Sequence, residues 1–297
     1  MRQSYFILLF LLFASFSAAA AETEKSLTFV SKDIRPIRIW ENHTVPLAVP
    51  ADNDRKETLV KKPDGKRRVK NISVPEIYPF FAPGKGTHPA VIVSPGGGYS
   101  YVSWDAGIEV CRWFQRNGFT AFLLKYRCPG RRAAALADIA RAIRLIRFRA
   151  GEFNIDPERV GAIGFSAGGH LSAAVSASAV KPYQESDAAD KLDHRPNFTA
   201  LIYPAFLVKN LKDLSLNKEF KVDKQTPPTL LIQTGDDPIK VENSLSWYLA
   251  LRRAGVPCEM HIWAKGGHGY ALGQKKEQVS DWPRIALKWF RRNAKMK

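Results

Sequence analysis

Cysteine is scarce in this 297-residue sequence, and patterns typical of metal sites are missing. The three cysteines are far apart and lie in segments expected to be buried; they are Cys111, Cys128 and Cys258. Free buried thiols are therefore expected, and at most one disulfide could form. No Cys/His group has the spacing of a zinc site. The sequence also has no low-complexity linker and no internal repeat, so one domain over residues 22–297 is expected.

No apolar run is long enough to span a membrane. The longest covers Tyr5 to Phe16, whereas a transmembrane helix needs ~20 residues. Arg2 precedes this run, and an A-x-A cleavage site follows before Glu22. The pattern predicts a signal peptide over residues 1–21, export to the periplasm or the extracellular space, and no stable membrane insertion after cleavage. An N-terminal anchor that is retained is the alternative.

Acidic residues are few: Asp and Glu number 28 against 45 Lys and Arg, which gives a formal net charge of +17. Such a charge would attract polyanions, whether nucleic acid, anionic lipid or an acidic polysaccharide. The basic residues are dispersed, however, and no aromatic-basic repeat of a nucleic-acid-binding module occurs, so no nucleic-acid partner is expected. Solvated faces explain the charge adequately, while an acidic polysaccharide stays open as a partner.

From residue 88 onward, short apolar segments alternate with amphipathic ones. This alternation predicts an α/β fold, with a mostly parallel central sheet covered by helices on both faces. The predicted strands are residues 90–93, 120–126, 200–203, 229–233 and 259–263, with another leading to Ser166. The predicted helices cover residues 107–117, 133–153, 241–254 and 282–293 and one that begins near Ala167.

The N-terminal part of the chain is more polar and richer in turn-forming residues. Residues 34–40 and 69–74 alternate well enough to be strands of an antiparallel edge, and residues 76–81 continue it. Residues 52–65 are interpreted as an exposed loop.

The sequence Gly164-Phe-Ser-Ala-Gly168 matches the pattern G-x-S-x-G between a predicted strand and a predicted helix. The two glycines allow a tight turn that lifts the hydroxyl of Ser166 clear of the sheet. Ser166 is therefore the candidate nucleophile, provided that a base and an acid follow in the chain.

The candidate base is His268, which lies in a glycine-rich loop after the last predicted strand. Ligand sites in parallel sheets lie at the carboxyl ends of strands, so His268 and Ser166 should meet at one edge. The acid that orients this histidine is predicted to be Asp236 or Asp237, because both follow the strand that ends at Gln233. The other aspartate would serve as a turn or capping residue for the next helix. His170 should point into the packing of the helix after Ser166.

A transition-state oxyanion would need two N–H donors. Ala167, directly after the nucleophile, would supply one. The other would come from the loop Gly96-Gly97-Gly98, where the missing Cβ atoms let backbone approach a substrate.

Together these motifs resemble the α/β-hydrolase superfamily over residues 75–297. The loop Pro95-Gly-Gly-Gly-Tyr99 is similar to the H-G-G-G loop of hormone-sensitive-lipase-like esterases, with proline in place of histidine. That resemblance implies Gly97 and Gly98 as the donors, and it favours Asp237 over Asp236. Five motifs taken together are similar to those of acetylxylan-esterase-like and bifunctional feruloyl/acetyl esterases. They are the loop at Pro95, Lys125-Tyr-Arg127, Gly164 to His170, Val241-Glu-Asn-Ser244 and Gly266-Gly-His-Gly-Tyr270.

The resemblance implies a serine esterase that needs no metal or organic cofactor and removes small acyl groups, mainly acetyl, from polysaccharides such as xylan. Residues 206–226 are the expected partial lid, and the connection after Arg127 is shorter than in many relatives. Three alternatives are a general small-ester carboxylesterase, a peptidase like the catalytic domain of prolyl oligopeptidases, and a non-catalytic binding protein. Such peptidases usually have an additional domain that gates the substrate, and residues 22–297 leave no room for one.

Overall fold

The computed structural model describes residues 34–40, 45–48, 56–272 and 277–296. The predicted signal peptide, residues 1–21, lies outside the described residues. Within these ranges, no helix is long and apolar enough to cross a membrane.

The strands in chain order are β1 (Ile37–Arg38), β2 (Thr58–Lys61), β3 (Arg67–Lys70), β4 (Glu76–Phe80), β5 (His88–Ser94), β6 (Val102–Ser103), β7 (Thr120–Lys125), β8 (Ile155–Phe165), β9 (Phe198–Ile202), β10 (Val208–Asn210), β11 (Ser215–Leu216), β12 (Thr229–Thr234) and β13 (Cys258–Trp263). The helices are α1 (Trp104–Arg116), α2 (Arg132–Phe148), α3 (Ala150–Phe153), α4 (Ala167–Ala177), α5 (Glu242–Ala254) and α6 (Trp282–Asn293), with 3₁₀ turns at Ala189–Lys191 and Gln278–Asp281.

Eight strands form one sheet in the spatial order β1-β4-β7-β5-β8-β9-β12-β13. The six strands from β7 to β13 in this order pair in parallel, whereas β4 pairs antiparallel with both β1 and β7. The predicted α/β fold, with a mostly parallel central sheet and antiparallel N-terminal strands at one edge, is therefore confirmed.

Helices cover both faces of this sheet. Leu231 of β12 packs in a core cluster with Trp247 of α5, whereas its neighbours Leu230 and Ile232 belong to the cluster that contains Phe290 of α6. Side chains alternate between the two faces along a strand, so α5 and α6 lie on opposite sides. Every residue of β7 and β12 is buried, as expected of strands in the middle layer.

Several predictions for individual elements were wrong in detail. Residues 133–153 form two helices, because the chain leaves helical geometry at Arg149. The N-terminal residues 69–74 do not extend the main sheet: β3 ends at Lys70 and belongs to a separate three-stranded sheet, β2-β3-β6. Strand β2 lies inside residues 52–65, which were expected to be a loop.

The three cysteines are free, with Cys111 and Cys128 buried and Cys258 half-buried. Burial raises the pKa of the Cys128 thiol to about 12. A thiol with so high a pKa stays protonated near neutral pH, where it is a poor nucleophile.

Candidate active site

Ser166 lies at the sharp turn between β8 and α4, with φ of 53° and ψ of −118°. A side chain in this region is strained by ~1–3 kcal/mol, so the surrounding structure must hold it there. A Cβ atom at Gly164 would lie 2.0 Å from the Gly168 carbonyl oxygen, and one at Gly168 would lie 2.0 Å from the Ser94 carbonyl oxygen. The predicted need for glycine on both sides of the serine therefore has a direct steric cause.

A line of hydrogen bonds joins Ser166, His268 and Asp237. Nε2 of His268 lies 2.9 Å from Oγ of Ser166, and Nδ1 lies 2.9 Å from Oδ2 of Asp237. The Asp237 side chain is fully buried, and the His268 side chain is 26% exposed. Asp237 follows β12 and His268 follows β13, so the carboxyl ends of adjacent strands bring the two residues together. This arrangement can transfer a proton from the serine hydroxyl to the imidazole.

The adjacent Asp236 has a different task. Its carboxylate accepts backbone N–H groups from Gly267 at 2.8 Å and from Gly266 at 3.3 Å. The hydrogen bond from Gly267 is the main reason that the pKa of Asp236 lies below its ordinary value. Asp236 lies in the turn after β12, as one of the two expected roles required, but its carboxylate fixes the loop that carries the histidine instead of capping the next helix.

Residues of β12 and of the turn after it fix the positions of the loop that carries Asp237 and the loop that carries His268. Oγ1 of Thr234 donates to the Gly267 carbonyl at 2.7 Å, and the backbone N–H of Ile239 donates to Oδ1 of Asp237 at 2.7 Å. Nε2 of Gln233 donates to the Ile239 carbonyl at 2.8 Å. Sequence reasoning did not identify Gln233 or Thr234, although both end a strand whose carboxyl edge carries the site.

The glycine loop after β5 passes close to the serine. A Cβ atom at Gly96 would lie 3.2 Å from Cβ of Ser166, and one at Gly97 would lie 1.9 Å from the Tyr101 carbonyl oxygen. Gly97 and Gly98 have positive φ values of 144° and 62°. Within the described ranges, the N–H groups of Gly97, Gly98 and Ala167 donate to no protein acceptor. All three are thus available as donors to a ligand.

A hydrogen-bond network connects this loop to helix α4. The Tyr99 hydroxyl lies 2.7 Å from Nδ1 of His170, and Nε2 of His170 lies 3.0 Å from Oε1 of Glu219. The hydrogen bond with His170 helps to hold the pKa of Glu219 below its ordinary value, so the carboxylate acts as an acceptor. Burial raises the pKa of Tyr99. The prediction that His170 points into the packing is confirmed, since it is 2% exposed.

A cavity of about 440 Å³ opens at Ser166 and His268. Tyr203 forms part of its wall, and its ring lies 4.8 Å from the imidazole of His268 between centroids. No residue of the predicted lid, 206–226, lines this cavity; the hairpin of β2 and β3 contributes lining residues instead. The hairpin was missed because no local pattern relates residues 62–68 to a serine a hundred positions later. Its lining residues are Lys62, Asp64, Lys66, Arg67 and Arg68.

The chain is similar in sequence and in fold to several known hydrolases. A family model described as BD-FAE matches residues 79–202, which include the glycine loop and Ser166. An acetyl ester-xyloside bifunctional hydrolase from Caldicellulosiruptor lactoaceticus is 31% identical, with a TM-score of 0.71, and the match covers 88% of this chain and 97% of that one. An esterase of Thermogutta terrifontis is 21% identical, with a TM-score of 0.62 over 82% of this chain and 94% of that one, and shares the fold.

Two curated proteins are also similar in sequence. An acetylxylan esterase of Xylanibacter ruminicola is 31% identical over 252 residues, which is 76% of this chain and 48% of that protein. An endo-1,4-beta-xylanase B of Butyrivibrio fibrisolvens is 30% identical over 234 residues, which is 70% of this chain and 36% of that protein. The chain therefore spans about half or less of the length of the curated relatives that it matches.

Proposed function

The chain belongs to the esterases of the α/β-hydrolase superfamily, and on that premise we propose that it is an exported serine esterase that removes small acyl groups, mainly acetyl, from polysaccharides such as xylan. The observation that carries the proposal is the pair of 2.9 Å hydrogen bonds that link Ser166, His268 and Asp237. Asp236 is not in this line, which favours Asp237 as the acid.

In the first half of the reaction, His268 takes the proton of the Ser166 hydroxyl on Nε2 as Oγ attacks the carbonyl carbon of the ester. The electron pair of the carbonyl π bond moves to the carbonyl oxygen. This oxygen accepts hydrogen bonds from the N–H groups of Gly97, Gly98 and Ala167. Asp237 keeps the other ring nitrogen protonated and stabilises the imidazolium that forms. Preorganised donors of this kind lower the barrier because they need no reorientation during the reaction.

The tetrahedral intermediate then collapses. The bond between the carbonyl carbon and the sugar oxygen breaks, and Nε2 of His268 donates its proton to that oxygen. The acyl group stays on Ser166 as an ester. Water next takes the place of the sugar: it gives a proton to Nε2 of His268 and attacks the acyl carbon. The bond between that carbon and Oγ of Ser166 then breaks, His268 returns the proton to Oγ, and the acid leaves. Every proton in this cycle passes through His268, so the cycle needs no second proton donor or acceptor.

The substrate class rests on the relatives together with the shape of the site. The names of two relatives, an acetylxylan esterase and an acetyl ester-xyloside hydrolase, point to acetyl groups on xylan-type sugars. The cavity of about 440 Å³ is in the range of pockets that hold small ligands. The predicted signal peptide over residues 1–21 supports export to the compartment where such polymers are found.

The proposal is tested by measuring the acids that the protein releases from acetylated xylan and from a panel of other native polysaccharides. Acetate is expected as the main product, with slower release of larger acids. Hydrolysis of p-nitrophenyl acetate without release from any polysaccharide would indicate the general carboxylesterase instead. Cleavage of a prolyl peptide in place of esters would refute the esterase assignment.

A further inference from the structure

One wall of the cavity is basic, and it comes from the hairpin that lies in the chain between β1 and β4. The hairpin of β2 and β3 pairs through Arg68 with Ser103 of β6, directly before helix α1. The backbone N–H of Ser103 donates to the Gly96 carbonyl at 2.9 Å, which ties β6 to the glycine loop. The hairpin is thus attached to the same loop that faces Ser166.

The charges on this wall are unequal. Lys62, Lys66, Arg67 and Arg68 line the cavity from the hairpin, and Asp64 is the one carboxylate among the described residues that line it. Arg67 is balanced by a close ion pair with Asp105. In the part of the chain that the structure describes, the side chains of Lys62, Lys66 and Arg68 form no ion pair within 4.0 Å, although the backbone N–H of Lys66 donates to Oδ1 of Asp64 at 3.0 Å. The wall therefore has an excess of positive charge.

Arg68 is also held in place. Its guanidinium carbon lies 4.0 Å from the centroid of the Tyr101 ring, in a cation–π contact. Arg68 and Lys62 are half-buried, whereas Lys66 is exposed. A planar guanidinium that is already oriented can donate two parallel hydrogen bonds to an oxyanion, which a mobile surface lysine does less well.

We propose that this basic wall, formed by Lys62, Lys66 and Arg68, binds an anionic substituent of the acylated glycan, a carboxylate or a sulfate, while the neighbouring acyl ester reaches Ser166. The inference rests on the proposed function, since it names the substrate class of the same site. Xylan-type chains that carry uronic acids would meet this description, as would sulfated chains.

The position of these charges argues against an ordinary solvated surface. A cleft lined by charges of one sign concentrates the field and draws in ligands of the opposite sign. Lys61 and Lys70 lie on the same hairpin and are exposed, as Lys66 is, but they do not line the cavity. The hairpin therefore offers a matched control, because equal charges can be removed at positions that line the cavity and at positions that do not.

The test measures binding to the Ser166→Ala protein by calorimetry, so that it does not depend on turnover. The probes are a xylo-oligosaccharide that carries one glucuronic acid, the same compound after reduction of its carboxyl group, and the reduced compound after addition of one sulfate. We expect the acidic compound to bind roughly fivefold more tightly than the reduced one, because two or three partly exposed charge contacts add small energies. The advantage should decline as salt is added.

Charge is then removed from lysines that line the cavity and, in a second variant, from lysines of the hairpin that do not, which locates the effect. Lys62→Gln with Lys66→Gln, in the same Ser166→Ala background, should abolish most of the preference, whereas Lys61→Gln with Lys70→Gln should preserve it. Equal affinity for the acidic and reduced compounds, no measurable affinity for either, or equal losses in the two double variants would overturn the inference. A preference for sulfate alone would assign the wall to sulfated chains. Failure of the proposed function would be recognised separately, as absence of acetate release by the unmodified protein.

Discussion

Asp237 lies 2.9 Å from Nδ1 of His268, while the adjacent Asp236 binds the backbone of the histidine loop at Gly267. Two consecutive aspartates thus act on one histidine in different ways: Asp237 contacts its ring, and Asp236 positions the loop that carries it. The carboxylate that touches the ring fixes its tautomer, whereas the other contributes to the rigidity of the loop.

Asp237→Asn should therefore reduce kcat for p-nitrophenyl acetate by ~10³–10⁴-fold, because the amide favours the wrong tautomer of His268. Asp236→Asn keeps an oxygen that can accept the N–H of Gly267, so its loss should be less than ~10-fold. Kinetic measurements on both variants check this. If Asp236→Asn were the more damaging of the two, the assignment of the acid would be wrong.

Ala substitutions at two adjacent glycines should differ in their effects. Gly97→Ala would bring a Cβ atom to 1.9 Å from the Tyr101 carbonyl, so the loop must move and its N–H groups with it. We expect kcat to fall by ~10²-fold or more, the size of the loss when one oxyanion donor is removed. Gly98→Ala meets no heavy atom within 4 Å and suffers only from its positive φ, a cost of ~1–2 kcal/mol.

Thermal unfolding and kcat for both glycine variants provide the check. Gly98→Ala should lower the free energy of unfolding by ~1–2 kcal/mol but retain most of the activity. Equal losses of kcat in the two variants would mean that crowding at Tyr101 does not determine the path of the loop.

The glycine positions show how far sequence reasoning reached. The turn at Ser166 could be predicted because its steric demands are local and repeat in every such turn. The choice between Asp236 and Asp237 could not be derived from the residues alone, because adjacent residues on a loop are equally near in sequence. It depends on hydrogen bonds to Ile239 and Gly267, and these exist only in the folded chain.

The basic hairpin was beyond sequence reasoning for a related reason. Thr58-Leu-Val-Lys61 is too short for its alternation to be distinguished from a loop, and its strand character depends on pairing with β3. β3 in turn pairs with β6, which is only two residues long. Such elements are defined by their partners, so the sequence predicted the central sheet better than the structure on the other side of the cavity.

Tyr99→Phe should weaken both stability and activity. The change removes the hydroxyl that lies 2.7 Å from Nδ1 of buried His170 and leaves that nitrogen without its partner. The free energy of unfolding should fall by ~1–3 kcal/mol, the cost of an unsatisfied buried polar group. Because Tyr99 directly follows Gly98, a displaced loop should also lower kcat by ~10-fold.

Urea unfolding and kinetics measure the two effects of Tyr99→Phe. Glu219→Gln serves as the matched change, since its amide oxygen can still accept the N–H on Nε2 of His170, and its losses should be smaller. Unchanged stability in Tyr99→Phe would show that this network does not hold the loop.

Asp190 should make the protein sensitive to acid. Burial raises its pKa, but hydrogen bonds from Tyr183, Ser186 and Arg141 outweigh this and lower the pKa to about 2, from 3.8. Because the folded pKa is depressed, the carboxylate contributes stability above about pH 4, and that contribution is lost as the pH falls toward about 2. The side chain is fully buried, and the shift corresponds to about 2 kcal/mol.

Asp190→Asn should therefore be less stable than the unmodified protein near neutral pH. The difference in free energy of unfolding between the two proteins should become smaller as the pH is lowered from about 4 toward about 2. Glu152→Gln, which removes an exposed ion pair with Arg149, is the control and should change stability by less than ~1 kcal/mol. A difference for Asp190→Asn that is constant with pH would contradict the assignment of this carboxylate.

The central claim is that Ser166 carries the acyl group between the two halves of the reaction. Its most direct test is to mix the protein with p-nitrophenyl acetate, quench it with acid during turnover and map its peptides by mass spectrometry. The account predicts one acetyl group on the peptide that contains Ser166, and neither the acetyl group nor turnover in Ser166→Ala. Acetyl on a different residue during turnover, or hydrolysis by Ser166→Ala at the original rate, would contradict it.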